Sequence, residues 1–297
     1  MVMMTSRPTL PLVSVIIPTM ASSERAKLLL RAIGSIRASS LEPIRIIVVI
    51  NGERFDLSVR DWLQSQPDVD IEWVLSASAP GAILRGRECV RTEFFSTLDD
   101  DDEYLPCTTE RRILLLRANP EADVLISNAY IMSSGVDRLF YQNLPEVATD
   151  PLICLLRRNW LTSGNALFRT TAIGLPYFQG YHPYAEWTWL GFRLALDKKR
   201  IVILNEAVCR HHDTHNSLSK SHEYVRSYIP LFQRMLECSP HSAAARMIRR
   251  KISASYHDAS VSALRAGLLR EAWREHWNRV IQPGGLRYLP YTRYLFK

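Results

Sequence analysis

The run Ile44-Arg45-Ile46-Ile47-Val48-Val49-Ile50 is β-branched at six of its seven positions and shows no alternation of apolar and polar residues. A strand with that pattern is covered on both faces, which calls for a parallel sheet sandwiched between helices. The residues before it agree. Val13-Ser14-Val15-Ile16-Ile17 reads as a second buried strand stopped by Pro18-Thr19, and Leu28, Leu29, Ala32, Ile33 and Ile36 then fall at helical spacing. Strand, helix and strand in that order require a right-handed crossover. The chain is therefore expected to be α/β.

The same reading continues along the chain. A short helix is predicted over 61–66, a strand over 71–75, a loop at Pro80-Gly81, a helix over 83–91 bearing Arg85, Arg87 and Arg91, and a fourth strand over 94–98. Further on, helices are predicted over 108–118 and 185–196, and strands over 123–127, 164–169 and 200–204. Loops and short elements are expected over 135–160. The last quarter reads as three helices, over 224–238, 242–256 and 259–281.

Composition narrows the class. The 297 residues suffice for one large α/β domain or two modest ones, and no apolar run approaches the ~20 residues that span a bilayer. Residues 1–12 are broken by Pro8 and Pro11 and make a poor signal peptide, so a cytoplasmic location is expected. Five scattered cysteines, with no C-x-x-C pair, suggest neither a disulfide framework nor a zinc site. The net charge of +7 is concentrated at one end: residues 223–297 hold 13 Lys and Arg against 5 Asp and Glu. That region suits an acidic membrane surface or another anionic partner; nucleic acid is not expected.

One stretch resists a purely structural explanation. The predicted fourth strand ends in Asp99-Asp100-Asp101-Asp102, followed by Glu103-Tyr104-Leu105-Pro106. Adjacent carboxylates repel, and Asp is poor in both helix and strand, so a solvated acidic turn is one reading. The other is a ligand site. Open α/β sheets bind ligands at the carboxyl ends of their strands, where a cation would compensate the charge. Oxygen ligands of this kind suit Mg²⁺ or Mn²⁺, which complete their coordination with water and substrate phosphate. His211, His212 and His215 lie within five residues and offer an imidazole ligand or a polar turn.

These segments together resemble a known family. Ser14-Val15-Ile16-Ile17-Pro18-Thr19, Ile46 to Val49 before a polar turn, Pro80-Gly81 with Arg85 to Arg87, and Leu98 to Asp102 with Pro106 resemble the nucleotide-binding half of family 2 glycosyltransferases of the GT-A fold. Ala185 to Ala195 and Arg210-x-His212 to Ser217 are similar to that family's acceptor half. The resemblance runs from about residue 12 to 220. It implies a GT-A-like domain over 12–221, with a mixed, mainly parallel sheet, and a basic helical C-terminal region over 222–297.

The resemblance also implies a chemistry. It is metal-dependent transfer of a sugar, with inversion, from a nucleotide-sugar donor to a hydroxyl of a saccharide or lipid-linked saccharide. The expected setting is bacterial surface polysaccharide or glycolipid assembly. Asp101 and Asp99 match the metal ligands, Asp99 and Asp100 also facing the nucleotide, and His212 matches the family's late histidine, with His211 as the fallback. Pro18, Thr19, Asn51 and Arg85 fall at nucleotide-sugar positions, although solvated helix arginines are a plain alternative for Arg85 and Arg87. Glu186 matches the acid that serves as base, and Trp187 and Trp189 suit stacking on an acceptor sugar or packing in the core.

Two departures from the family pattern stand out. Trp187 occupies the place where an Asp is usual, leaving Glu186 as the sole acid of that pair, with helix-start stabilisation as its alternative role. Asn51 stands where many members carry Asp. The rival readings are a non-catalytic nucleotide-sugar binder and a metal-dependent nucleotidyl- or phosphoryl-transferase. The second would be expected to carry a glycine-rich phosphate loop, and neither G-x-x-x-x-G-K nor G-x-G-x-x-G occurs. The basic C-terminal region is expected to pack on the domain, to contact a membrane peripherally, or both.

Overall fold

The computed structural model describes residues 10–213, 221–282 and 284–296. Its N-terminal half alternates strand and helix: β1 (Val13–Thr19), α1 (Ala26–Ala38), β2 (Ile44–Asn51), α2 (Leu57–Gln64), β3 (Val69–Val74), α3 (Ala79–Cys89) and β4 (Phe94–Thr97). These four strands are all parallel and lie in the order β3-β2-β1-β4. Residues 46–50 of β2 are fully buried, as expected of a non-alternating strand with helices on both faces.

β1 shows how this sequence tolerates close packing and a proline in a central strand. A Cβ on Gly86 of α3 would lie 2.3 Å from Ile16 Cγ2, so only glycine lets the helix approach this closely. Ile16 and Leu12 turn their carbonyls toward β4, and by alternation Pro18 faces the same way. The register with β4 ends at Ile16, so Pro18 forfeits no ladder bond.

The remaining strands build the other half of the sheet. They are β5 (Glu103–Tyr104), β6 (Val124–Ser133), β7 (Val136–Leu139), β8 (Ala166–Arg169) and β9 (Ile201–His212). β8 joins β4 and β6 antiparallel, β9 runs parallel to β6, and β5 pairs antiparallel with β9. Ser134 and Gly135, both with positive φ, close a two-residue hairpin between β6 and β7. β9 extends well beyond the predicted strand over 200–204. Its pairing with β6 resumes after an irregularity near Asn128 and carries Cys209 to His212 into the sheet.

Helices α4 (Thr108–Ala118), α5 (Pro151–Arg157) and α6 (Glu186–Leu196) flank this half. The C-terminal region supplies α7 (His222–Glu237), α8 (Ser242–Arg265), α9 (Leu269–Val280) and a 3₁₀ segment (Gly285–Phe296). Leu231, Phe232 and Met235 of α7 and Ala244, Ile248 and Ile252 of α8 belong to the same core cluster as Trp160, Phe168 and Phe192. α7 and α8 are thus packed on this half of the molecule.

The break expected near residue 257 is absent. α8 continues to a glycine C-cap, where Gly267 has φ +75°, its N–H reaches Leu264 O, and the Leu268 N–H reaches Ala263 O. This pair of bonds satisfies the last carbonyls of the helix. Beyond it, α9 and the 3₁₀ segment enclose a small cluster of their own around Ala263, Ala272 and Leu295.

Candidate active site

The strand order fixes where a ligand can enter. The chain runs outward from β1 to β3 and then crosses back to place β4 on the other side of β1. The carboxyl ends of β1 and β4 therefore flank a point where the direction of winding reverses. In open α/β sheets that crevice is the binding site. β1 ends at Thr19, the loop after it holds Ala21 and Arg25, and the loop after β4 holds the four aspartates.

Each aspartate has a distinct setting. Asp100 is buried and accepts the Thr19 hydroxyl at 2.6 Å and Arg25 Nε at 3.0 Å, while the Ala21 N–H donates to Thr19 Oγ1 at 2.9 Å. Arg25 also lies 3.2 Å from Asp101 Oδ2, and Arg31 donates to the Asp101 carbonyl. Asp102 closes the turn through its N–H to Asp99 O at 3.1 Å. Its carboxylate receives His211 Nδ1 at 2.5 Å and the His212 N–H at 3.0 Å.

Asp99, Asp101 and Asp102 each present a carboxylate oxygen, and these three atoms lie within 4.8 Å of one another. Burial, followed by the charges of Asp102 and Asp101, pushes Asp99 up to about 8, with the Ser163 hydroxyl partly offsetting the rise. Burial and the charge of Asp102 also raise Asp101, in spite of Arg25. An all-oxygen donor set of excess negative charge fits a hard divalent cation such as Mg²⁺ or Mn²⁺.

Sequence reasoning named several further positions, and they fall in different places. His212 turns its ring to Glu103, 3.2 Å from Oε1, whereas His211 is the imidazole beside the carboxylates. His215 lies outside the described residues. Pro18 and Thr19 end β1 at the crevice. Asn51 ends β2, where its Oδ1 accepts the Ser78 N–H at 2.6 Å. Arg85 is exposed and paired with Glu72 and Glu88, and Arg87 is buried against the carbonyls of Thr170 and Ile173.

Glu186 opens α6. Tyr184, two residues earlier, has φ +65°, an uncommon conformation for a bulky side chain, and it turns the chain into the helix. Glu186 lines a cleft with Pro80, Tyr177, Tyr181, Trp187 and Trp189. Burial raises its carboxyl above the usual glutamate range. Tyr181 joins this cleft to the carboxyl end of β2, because its hydroxyl lies 3.0 Å from Ser78 Oγ and Ser78 is held by Asn51. Trp187 is half-buried at the cleft. Trp189 is a core residue, stacked on Phe192 and covered by the Arg234 guanidinium 4.0 Å from its ring centre.

A doubly wound α/β sheet with a carboxylate cluster at its switch point, and a separate acid-bearing cleft, has the layout of a ligand-binding site at the carboxyl ends of the strands. The glycosyl transferase family 2 model matches residues 14–182, and the chain belongs to that family. Among solved structures, S. aureus TarS 1–349 in complex with UDP-GlcNAc superposes with a TM-score of 0.62 at 14% identity, covering 91% of this chain and 81% of that one. The same protein in complex with UDP gives 0.55 at 13% identity, covering 82% and 70%. No curated protein sequence matches the chain. At such identities the likeness establishes a shared fold.

Proposed function

We propose that this chain is an inverting, metal-dependent glycosyltransferase that moves a sugar from a nucleoside-diphosphate sugar to an acceptor hydroxyl. The acceptor is a saccharide, free or lipid-linked, in bacterial surface polysaccharide or glycolipid assembly. The enzyme works in the cytoplasm at the inner face of the membrane. The observations that carry the reading are a three-carboxylate cluster at the switch-point crevice and a half-buried acid, Glu186, in a cleft that Tyr181 and Ser78 link to Asn51 at the end of β2.

Asp99, Asp101 and Asp102 would hold Mg²⁺ or Mn²⁺, with His211 orienting Asp102 from behind. When bound, the metal supplies neutralisation of the charge on the donor diphosphate. The chain's own groups do the rest. Thr19 and Arg25 fix Asp100 in the crevice, and Asn51 and Ser78 shape the edge where the nucleotide base and ribose lie. Glu186 accepts the proton of the acceptor hydroxyl as the new C–O bond forms at the anomeric carbon and the bond to the departing diphosphate breaks. Its burial raises its basicity for that task. Trp187 offers a face to the acceptor ring beside Glu186.

A panel of nucleotide-sugars, beginning with UDP-GlcNAc because the TarS structure binds it, tests the proposal. The wild type should release nucleoside diphosphate in a metal-dependent reaction. Glu186→Gln should keep donor binding and lose transfer by on the order of 100-fold or more. Full transfer by that variant would remove Glu186 from the mechanism. Donor binding with no turnover of any donor in the wild type would favour a non-catalytic role, the reading that Trp187 in place of an acid suggests.

A further inference from the structure

The exposed apolar side chains of this protein are unevenly distributed. Eight of the nineteen large hydrophobic residues exposed among the described residues lie between 268 and 296. Trp277 is 50% exposed, Ile281 75%, Leu286 70% and Phe296 78%. They gather where α9 ends and the 3₁₀ segment folds back on it. Trp273 bridges the two elements, with its ring 6.3 Å from Trp277 and 5.0 Å from Phe296.

The 3₁₀ segment is held in one orientation. With three residues per turn it has three stripes. Tyr288 and Tyr291 form the inner one: Arg279 stacks on Tyr288 at 3.9 Å, and both tyrosine rings pack against His257 at 4.8 Å. His276 Nε2 adds a bond to Thr292 Oγ1 at 2.8 Å. Leu286 and Leu289 share a second stripe, and Arg287, Pro290, Arg293 and Phe296 form a third. Apart from Thr292 and Leu295, the residues of these two stripes are exposed, so leucine, phenylalanine and arginine project together. After Glu275 the sequence contains four Lys and Arg and no acid.

We infer that this tip, Trp277 and Ile281 with the outer stripes of the 3₁₀ segment, is an interfacial docking surface for an anionic lipid bilayer. Exposed aromatic and aliphatic side chains interleaved with arginine suit the headgroup region, where the rings and leucines enter the acyl boundary and the arginines meet lipid phosphates. A second copy of the chain is a poor occupant, because self-contact would bring arginine-bearing faces together. No helix among the described residues is long and apolar enough to cross a membrane, so the contact would lie on the surface.

The surface connects with the acceptor side of the enzyme. His222 at the start of α7 contacts Glu271 of α9 at 3.1 Å, and Arg226 contacts Glu275 at 3.2 Å. His182, just before the Glu186 helix, is bound to Ser227 O of the same α7 at 2.9 Å. Docking through α9 would hold the Glu186 cleft at a fixed relation to the bilayer, as a lipid-linked acceptor requires. This part rests on the proposed transfer reaction; the docking itself does not.

The test uses the full chain and vesicles of phosphatidylcholine alone or with phosphatidylglycerol. The wild type should sediment with the anionic vesicles and at least tenfold less with neutral ones. Leu286→Ser with Leu289→Ser, and separately Arg287→Gln with Arg293→Gln, should each lower binding to anionic vesicles on the order of tenfold. Tryptophan emission should shift to the blue on binding in the wild type, and the part of the shift lost in Trp277→Phe is the Trp277 shift.

No sedimentation of wild type, or unchanged binding by both double variants, would overturn the assignment. So would binding that depends on the arginines alone with no Trp277 shift, which is adsorption without insertion. A wild type that is dimeric, and monomeric in the leucine variant, would identify the surface as a self-interface instead. Thermal melts of the variants, expected to match wild type, guard against misfolding. Transfer to a soluble acceptor is read in parallel, so failure of docking and failure of catalysis are distinguishable.

Discussion

Arg25 provides a quantitative test of how the aspartate cluster is held together. It is the cation against Asp100, which is buried, and it also reaches Asp101. Removing one partner of a fully buried ion pair costs about 3–5 kcal/mol because the other charge is left uncompensated. The Arg25 side chain is 34% exposed, so water screens part of the loss and about 2–3 kcal/mol is expected for Arg25→Met. Asp100→Asn should be milder, since the amide still accepts from Thr19, and the double variant should recover part of the Arg25→Met loss.

The assay is urea unfolding of the four proteins without metal, followed by fluorescence. The double-mutant cycle should give a coupling of about 1.5–2 kcal/mol between the two residues. Additive single effects, with coupling under about 0.5 kcal/mol, would refute the claim that Arg25 compensates Asp100. A gain of stability in Arg25→Met would refute it more strongly still.

Other perturbations have definite outcomes. Gly86→Ala would force a methyl group to within 2.3 Å of Ile16, and its unfolding midpoint should report a loss of about 1–3 kcal/mol. Asp99 carries a folded pKa of about 8, raised from 3.8. Its contribution to metal-free stability is therefore fully present below pH 4 and lost as pH rises through 8; Asp99→Asn should flatten that decline in melting temperature measured across pH 4–9. Trp187→Ala should raise the KM for the acceptor severalfold while leaving donor affinity unchanged, as steady-state kinetics with each substrate varied would reveal; an altered donor affinity would place Trp187 elsewhere.

The parallel half of the fold was legible because burial on both faces writes itself into β1 and β2 as largely β-branched runs, and because α1 carries a clear helical period. The C-terminal elements were harder. Nothing in the sequence around His257 breaks a helix, and the operative stop is the left-handed Gly267 ten residues later. β9 was read too short because the exposed Asn205 and Glu206 interrupt its apolar run, and beyond them pairing with β6 and β5 rather than hydrophobic continuity carries the strand.

At the site, the aspartates and Glu186 were visible as acids where acids are costly. The expectation that a cation compensates the aspartates is met in part by Arg25, with Arg31 held on the Asp101 carbonyl, but their identity was hidden. They lie more than 60 residues away, and only the adjacency of β1 and β4 brings them in. The division of labour between His211 and His212 was likewise invisible. It depends on strand alternation: in β9 one ring faces Asp102 and the next faces Glu103. Arg85 shows the converse, a motif position whose side chain is occupied by Glu72 and Glu88.

The central claim is that the aspartate cluster binds a divalent metal together with a nucleotide-sugar. Thermal unfolding with UDP-GlcNAc, measured with Mn²⁺ and with chelator, for wild type and Asp101→Ala, tests it most directly. The account predicts that the sugar nucleotide raises the wild-type melting temperature only when Mn²⁺ is present. In Asp101→Ala that rise should vanish, and the metal-free melting temperature should stay the same or increase because a repelling charge has gone. Equal stabilisation with chelator, or full metal-dependent stabilisation of Asp101→Ala, would contradict it.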